Sequence, residues 1–142
     1  MIGASANPIK ASYFVARYFV LRGVRIIPIN PKYEGQKLWG EKFLKSIKDI
    51  DSQTNVDMVD IFRPSNEVYP IVKESIKYLK PLGCKTIWMQ MGIKNQRAAK
   101  EAKKNNLNVI MNKCPKIEYQ RLFGELRVAG FNTGIISSKI DL

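Results

Sequence analysis

Val24-Arg25-Ile26-Ile27-Pro28-Ile29 (24–29) is the stretch on which the fold turns. It is short, rich in β-branched residues and closed by Asn30-Pro31, which reads as a strand covered on both faces. Upstream lies a helical pattern, from a Ser12 cap through Phe14, Val15, Tyr18, Phe19 and Arg22 to Gly23, where a left-handed helix-ending residue is expected. Before that helix stands a glycine turn, Gly3-Ala4-Ser5-Ala6-Asn7-Pro8. Downstream, three more strand candidates, 57–62, 85–89 and 108–111, alternate with helical patterns. One helix carries Val68, Val72, Ile76 and Leu79, with a separate turn before Pro70. The next spans 95–105 with a thin Ala98, Ala99, Ala102 face, and the last opens at Pro115. Strand and helix in alternation predict an α/β, Rossmann-like doubly wound parallel sheet of about five strands with helices on both faces. Only Met1 and Ile2 precede Gly3, so the first strand is expected to be truncated. The piece from Tyr33 to Thr54 is less regular, with one short helix expected near 40–47.

The chain has 142 residues, enough for one domain around a single core. The expected division is a body over 1–126 and a tail over 127–142 that docks on the body or mediates self-association. No apolar run approaches membrane-spanning length, and Met1-Ile2-Gly3 leads straight into the glycine turn, so a cytoplasmic protein without a signal peptide is expected. Histidine is absent, which excludes Ser-His-Asp and Cys-His nucleophiles and histidine-ligated metal. Cys84 and Cys114 stand 30 residues apart, with no zinc-binding spacing. The 24 Lys and Arg against 12 Asp and Glu leave +12, which favours polyanions or phosphorylated small molecules. Along the sequence the lysines are dispersed, a pattern that argues against a nucleic-acid module with clustered cations and interleaved aromatics.

Right-handed crossovers bring every strand-to-helix loop to the carboxyl edge of a parallel sheet, where open α/β sheets bind ligands. The loops so placed are Gly3 to Pro8, Asn30-Pro31-Lys32-Tyr33, Arg63-Pro64-Ser65, Gln90-Met91-Gly92 and Asn112 to Pro115. Amides of the first loop, with the helix dipole behind them, suit an anion, and Gly3 and Ser5 permit close approach. The dinucleotide fingerprint G-x-G-x-x-G is missing. Where NAD enzymes keep an acid for the ribose, about 20 residues past the glycine turn, this chain has Asn30-Pro31-Lys32. A cation there suits a ribose phosphate on the 2′ or the 3′ carbon, or is a solvated turn lysine. Phe62 and Arg63 could flank an adenine and a phosphate, or Phe62 belongs to the core. The Gln90 amide is free for a ligand or caps the helix near Asn95. Cys114, between Lys113 and Lys116 at a helix start, is either an activated thiol or simply buried.

Gly-Ala-Ser-Ala-Asn-Pro (3–8), Ile-Ile-Pro-Ile-Asn-Pro-Lys (26–32), Val-Asp-Met-Val-Asp-Ile-Phe-Arg (56–63), Trp-Met-Gln-Met-Gly (88–92) with Asn95, and Cys-Pro-Lys-Ile-Glu-Tyr (114–119) occur in this order. Together they resemble the small stand-alone CoA-binding proteins, whose domain is similar to the N-terminal CoA-binding domain of the succinyl-CoA synthetase alpha subunit. The resemblance implies coenzyme A or acyl-CoA along the carboxyl edge. It places Ala4 and Ser5 at the pyrophosphate, Asn30, Pro31 and Lys32 around the 3′-phosphate, Phe62 and Arg63 near the adenine, and Gln90 further along the groove. The synthetase's phosphohistidine chemistry is not carried over, because this chain has no histidine. An NADP-dependent oxidoreductase shares the phosphate logic but needs a proton donor beside the nicotinamide, a role left to Tyr or Lys in a chain without histidine. A basic nucleic-acid binder is the other competing class.

Overall fold

The computed structural model describes residues 1–124. In chain order it holds α1 (Ala11–Val20), a two-stranded hairpin of β1 (Lys37–Leu38) and β2 (Glu41–Lys42), β3 (Met58–Ile61), α2 (Val68–Glu74), β4 (Thr86–Met89), α3 (Gln96–Lys104), β5 (Asn108–Ile110) and α4 (Pro115–Leu122). The expected tail over 127–142 lies outside the described residues.

β3, β4 and β5 form a parallel sheet in that order, with Val59 opposite Ile87 and Trp88 opposite Ile110. Beyond β3 the sheet continues through single parallel bridges, from Ile61 to Ile2, from Ile2 to Ile29 and from Ile29 to Leu44. Across the sheet the order is therefore Leu44, Ile29, Ile2, β3, β4, β5. Numbered along the chain, this is the 3-2-1-4-5-6 order of a Rossmann fold, with its switch point between Ile2 and β3.

The first strand is as short as expected. Met1 N–H donates to Ile27 O at 2.9 Å and Ile29 N–H to Met1 O at 2.9 Å, while Ile2 N–H reaches Asp60 O at 2.8 Å on the other side. The expected strand at 24–29 is thus a ladder around Ile29 only, because residues 24–26 have no partner on the Met1 side among the described residues. A cleft of ≈ 520 Å³ opens there at the amino edge, between Val24–Ile27 and Val56–Asp60.

Strand alternation sorts the two faces. Val59, Ile61, Ile87 and Met89 turn to a core shared with Val68, Val72, Ala98, Ala99 and Ala102, so α2 and α3 cover this side. Asp60 and Trp88 turn the other way, and the Trp88 indole N–H donates to Lys113 O just ahead of α4. α4 packs on α1 through Tyr119, whose ring lies 6.1 Å from Tyr18 and 5.9 Å from Phe19.

Two local expectations need correction. Ser12 does not cap α1: the cap position is Lys10, in extended backbone with no side-chain cap bond, and Ser12 is buried inside the first turn. The short helix expected near 40–47 is instead the β1–β2 hairpin, followed by a single 3-10 turn at Ile47–Asp49. Trp39 and Gly40 adopt φ of 51° and 84°, and positive φ at both central residues makes the tight hairpin turn. No described helix is long and apolar enough to cross a membrane.

Candidate functional site

The carboxyl edge is built around Gly3. Its φ is +80°, and a Cβ there would lie 3.0 Å from both Phe62 O and Arg63 Cδ. Only glycine lets the first loop lie this close to the end of β3. The neighbouring loop is latched to it by side chains. Asn30 Nδ2 donates to Ala4 O at 2.7 Å, and Asn30 Oδ1 accepts from Lys32 N–H at 3.0 Å, which starts a 3-10 turn over Pro31–Tyr33. Ser5 Oγ lies 3.2 Å from the Tyr33 hydroxyl and also accepts Asn7 N–H at 3.1 Å. Asn7 Oδ1 then accepts Ile9 N–H at 3.1 Å. Pro8 is exposed at the mouth of the loop.

These latches leave the amides of Ala4, Ser5 and Ala6 with no acceptor among the described residues, although Ala4 and Ser5 are buried. Buried N–H groups are nearly always paired, so three in succession between a strand and a helix suit an anion. The first turn of α1 adds no acidic residue and no side-chain cap to compete with that anion for the amides.

A cleft of ≈ 250 Å³ runs along this edge and brings together Gly3, Asn30, Pro31 and Arg63. Lys32 is exposed next to it, its ammonium 5.6 Å from the Tyr33 ring centre. Two residues that the sequence reading missed also line the cleft, Lys45 and Ser46. They follow the bridge at Leu44, the third strand position, which a presumed helix had hidden. Their readable signal was the capping box from Ser46 to Asp49: Ser46 Oγ accepts Lys48 N–H, and Asp49 accepts Ser46 N–H at 2.8 Å. Glu67 and Glu74 line the same wall. Arg63 is paired with Glu67, Nε to Oε2 at 2.8 Å, and Lys48 with Glu74 at 3.5 Å. Lys45 has no carboxylate within 4.0 Å among the described residues, so its charge is uncompensated at the cleft.

The structure does not gather every expected residue. Phe62 is half-buried, with its backbone N–H donating to Ile2 O, and it does not line the cleft. Gln90 is a correction: it neither caps the helix nor leaves its amide nitrogen free. It is buried, and its Nε2 donates to both Asp60 oxygens, at 2.9 and 3.1 Å. Asn95 itself caps α3, accepting from Ala98 N–H at 2.8 Å. Burial pushes the Asp60 carboxyl up to about 6, against the stabilising Gln90 bond and the charge of the Met1 ammonium. Burial in turn lowers the pKa of that ammonium. Cys114 is buried at the cap position of α4. Among the described residues no cluster of acidic or cysteine side chains could hold a metal ion.

Comparison with known proteins bears on what such an edge binds. Residues 1–120 match the family model described as a CoA binding domain. An uncharacterized Bacillus subtilis protein, YneT, is 29% identical over 119 residues, covering 84% of this chain and 82% of its own. A solved structure from Thermus thermophilus superposes with a TM-score of 0.76 at 28% identity, covering 84% of this chain and 85% of that one. A hypothetical protein from Pyrococcus horikoshii OT3 gives 0.76 at 32% identity, over 87% of this chain and 81% of its own. Because the family match takes in every strand of the sheet and the whole carboxyl edge, the chain belongs to the CoA-binding domain family, and that membership supports coenzyme A binding in general.

Proposed function

We propose that the protein holds coenzyme A or an acyl-CoA by its 3′-phospho-ADP end at the carboxyl edge of the sheet, with no catalysis assigned. The observation that carries this reading is the row of unpaired amides at Ala4, Ser5 and Ala6. They face the need of a pyrophosphate for several fixed donors, with the α1 dipole behind them. Asn30 and Pro31 shape the neighbouring loop so that Lys32 can meet the 3′-phosphate, and Lys45 supplies a second cation on the same wall. Arg63 stands at the switch point beside Phe62, placed for the adenine and for exchange of its Glu67 partner against a phosphate oxygen. Gln90 acts from behind, fixing Asp60 under the end of β3 rather than touching ligand.

Titration calorimetry with CoA, dephospho-CoA and NADP tests the reading. CoA should bind more tightly than dephospho-CoA and NADP. Lys32→Ala should weaken CoA about 5- to 30-fold, the equivalent of about 1–2 kcal/mol for a charge-assisted contact, and leave dephospho-CoA unchanged. Equal affinity for CoA and dephospho-CoA would remove the 3′-phosphate from this site, and tighter binding of NADP would favour the oxidoreductase reading.

A further inference from the structure

Six of the lysines that are dispersed along the sequence share one face of the structure with Arg97. Between residues 68 and 105 the chain carries nine Lys and Arg but only two Glu. α2 continues through a π turn at Ser75–Leu79, and its buried side is Val68, Val72, Ser75 and Leu79. Its exposed side is therefore Lys73, Lys77 and Lys80, at helical spacing. α3 buries Ala98, Ala99 and Ala102 and exposes Arg97, Lys100, Lys103 and Lys104. The two helices pack side by side, and a groove of ≈ 380 Å³ runs along α3 beside Tyr69, with Arg97, Lys100 and Lys104 on its wall. The Arg97 guanidinium lies 3.9 Å over the Tyr69 ring, which fixes one edge of the groove. Of the two acids, Glu74 pairs with Lys48, and Glu101 is half-buried on the groove wall, its carboxylate accepting the Asn105 amide at 3.5 Å.

We propose that the outer face of α2 and α3 is a second binding surface, for the phosphodiester backbone of a nucleic acid, read without regard to sequence. Two rows of cations, each stepping about 5–6 Å per helical turn, match a chain of phosphates better than a single small anion. An acidic membrane would meet the same charge, but binding there also uses apolar side chains that enter the lipid. Among the described residues, none of the exposed large apolar side chains lies on α2 or α3. The groove beside Tyr69 shares no lining residue with the CoA cleft, to which α2 gives Ile71 and Glu74 from its other side, so the two readings are tested independently.

The test is fluorescence anisotropy of the whole protein with 20-base-pair duplex DNA, duplex RNA and single strands of each, alongside phosphatidylserine vesicles. If about four phosphates are neutralised, affinity falls about 100-fold between 50 and 200 mM salt. Lys77→Glu with Lys100→Glu should weaken nucleic-acid binding tenfold or more while the CoA titration stays unchanged. Lys37→Glu with Lys42→Glu changes net charge equally from the β1–β2 hairpin and should cost less than threefold. Equal losses in the two double variants, a salt dependence under tenfold, or tighter binding to vesicles than to any nucleic acid would overturn the proposal. Whichever of DNA or RNA binds more tightly identifies the source of the backbone.

Discussion

Asp60 shows how one residue can bind an element into the molecule at a cost. It sits on β3 among Val59 and Ile61, accepts both of its side-chain bonds from Gln90, and is almost wholly removed from water. With its folded pKa at about 6, above the ordinary carboxyl value of 3.8, the folded state holds a proton that the unfolded state releases between those values. Its contribution to stability is therefore largest below about pH 4 and declines as pH rises through 6. Asp60→Asn removes this dependence. The difference in Tm between variant and parent, followed from pH 4 to pH 7, should move in favour of the variant by several degrees, and a flat difference would count against the assignment. Nothing in the sequence marked this pair. Gln90 looked available for a ligand because β4 is otherwise apolar, and the partner that engages it lies 30 residues earlier, on a neighbouring strand.

At the scale of elements, what could be read was what is periodic. Ala98, Ala99 and Ala102 give α3 a flat face, and the structure seats all three against the core at 0–3% exposure. That closeness leaves no room. Ala102→Leu should cost about 1–3 kcal/mol in chemical denaturation, since added methylenes force neighbouring side chains from their rotamers. Pro115 opening α4 and Gly23 closing the α1 region were equally legible, because each residue has one backbone conformation that suits it there. The hairpin was not. Trp39 at positive φ is a choice no propensity favours, and its ring rests 4.7 Å from Tyr13, a contact from outside the segment. Reading 40–47 as a helix also concealed Leu44 as a strand position, and with it Lys45 and Ser46 at the cleft. Tertiary pairing, invisible to a local pattern, decided that stretch.

Over the whole molecule, alternation and right-handed crossovers implied a doubly wound parallel sheet but not its strand order, and part of the carboxyl edge followed from it: Gly3, Asn30, Pro31 and Arg63 line one cleft, while Ala4, Ser5, Lys32 and Tyr33 do not. What alternation could not show is where the two halves of the sheet meet. The Ile29 and Leu44 segments form one half, β3 to β5 the other, and among the described residues Met1 to Gly3 lie between them. Here the proposed ligand has a further role. A molecule resting on Asn30 at one side and Arg63 at the other spans that join. Its binding energy would then oppose the parting of the two halves. Hydrogen exchange measured by mass spectrometry should find the amides of Ile2, Ile29 and Phe62 slowed tenfold or more by saturating CoA, with Asn108 of β5 changed far less. The protein would then be a book, and the proposed ligand the clasp across its covers.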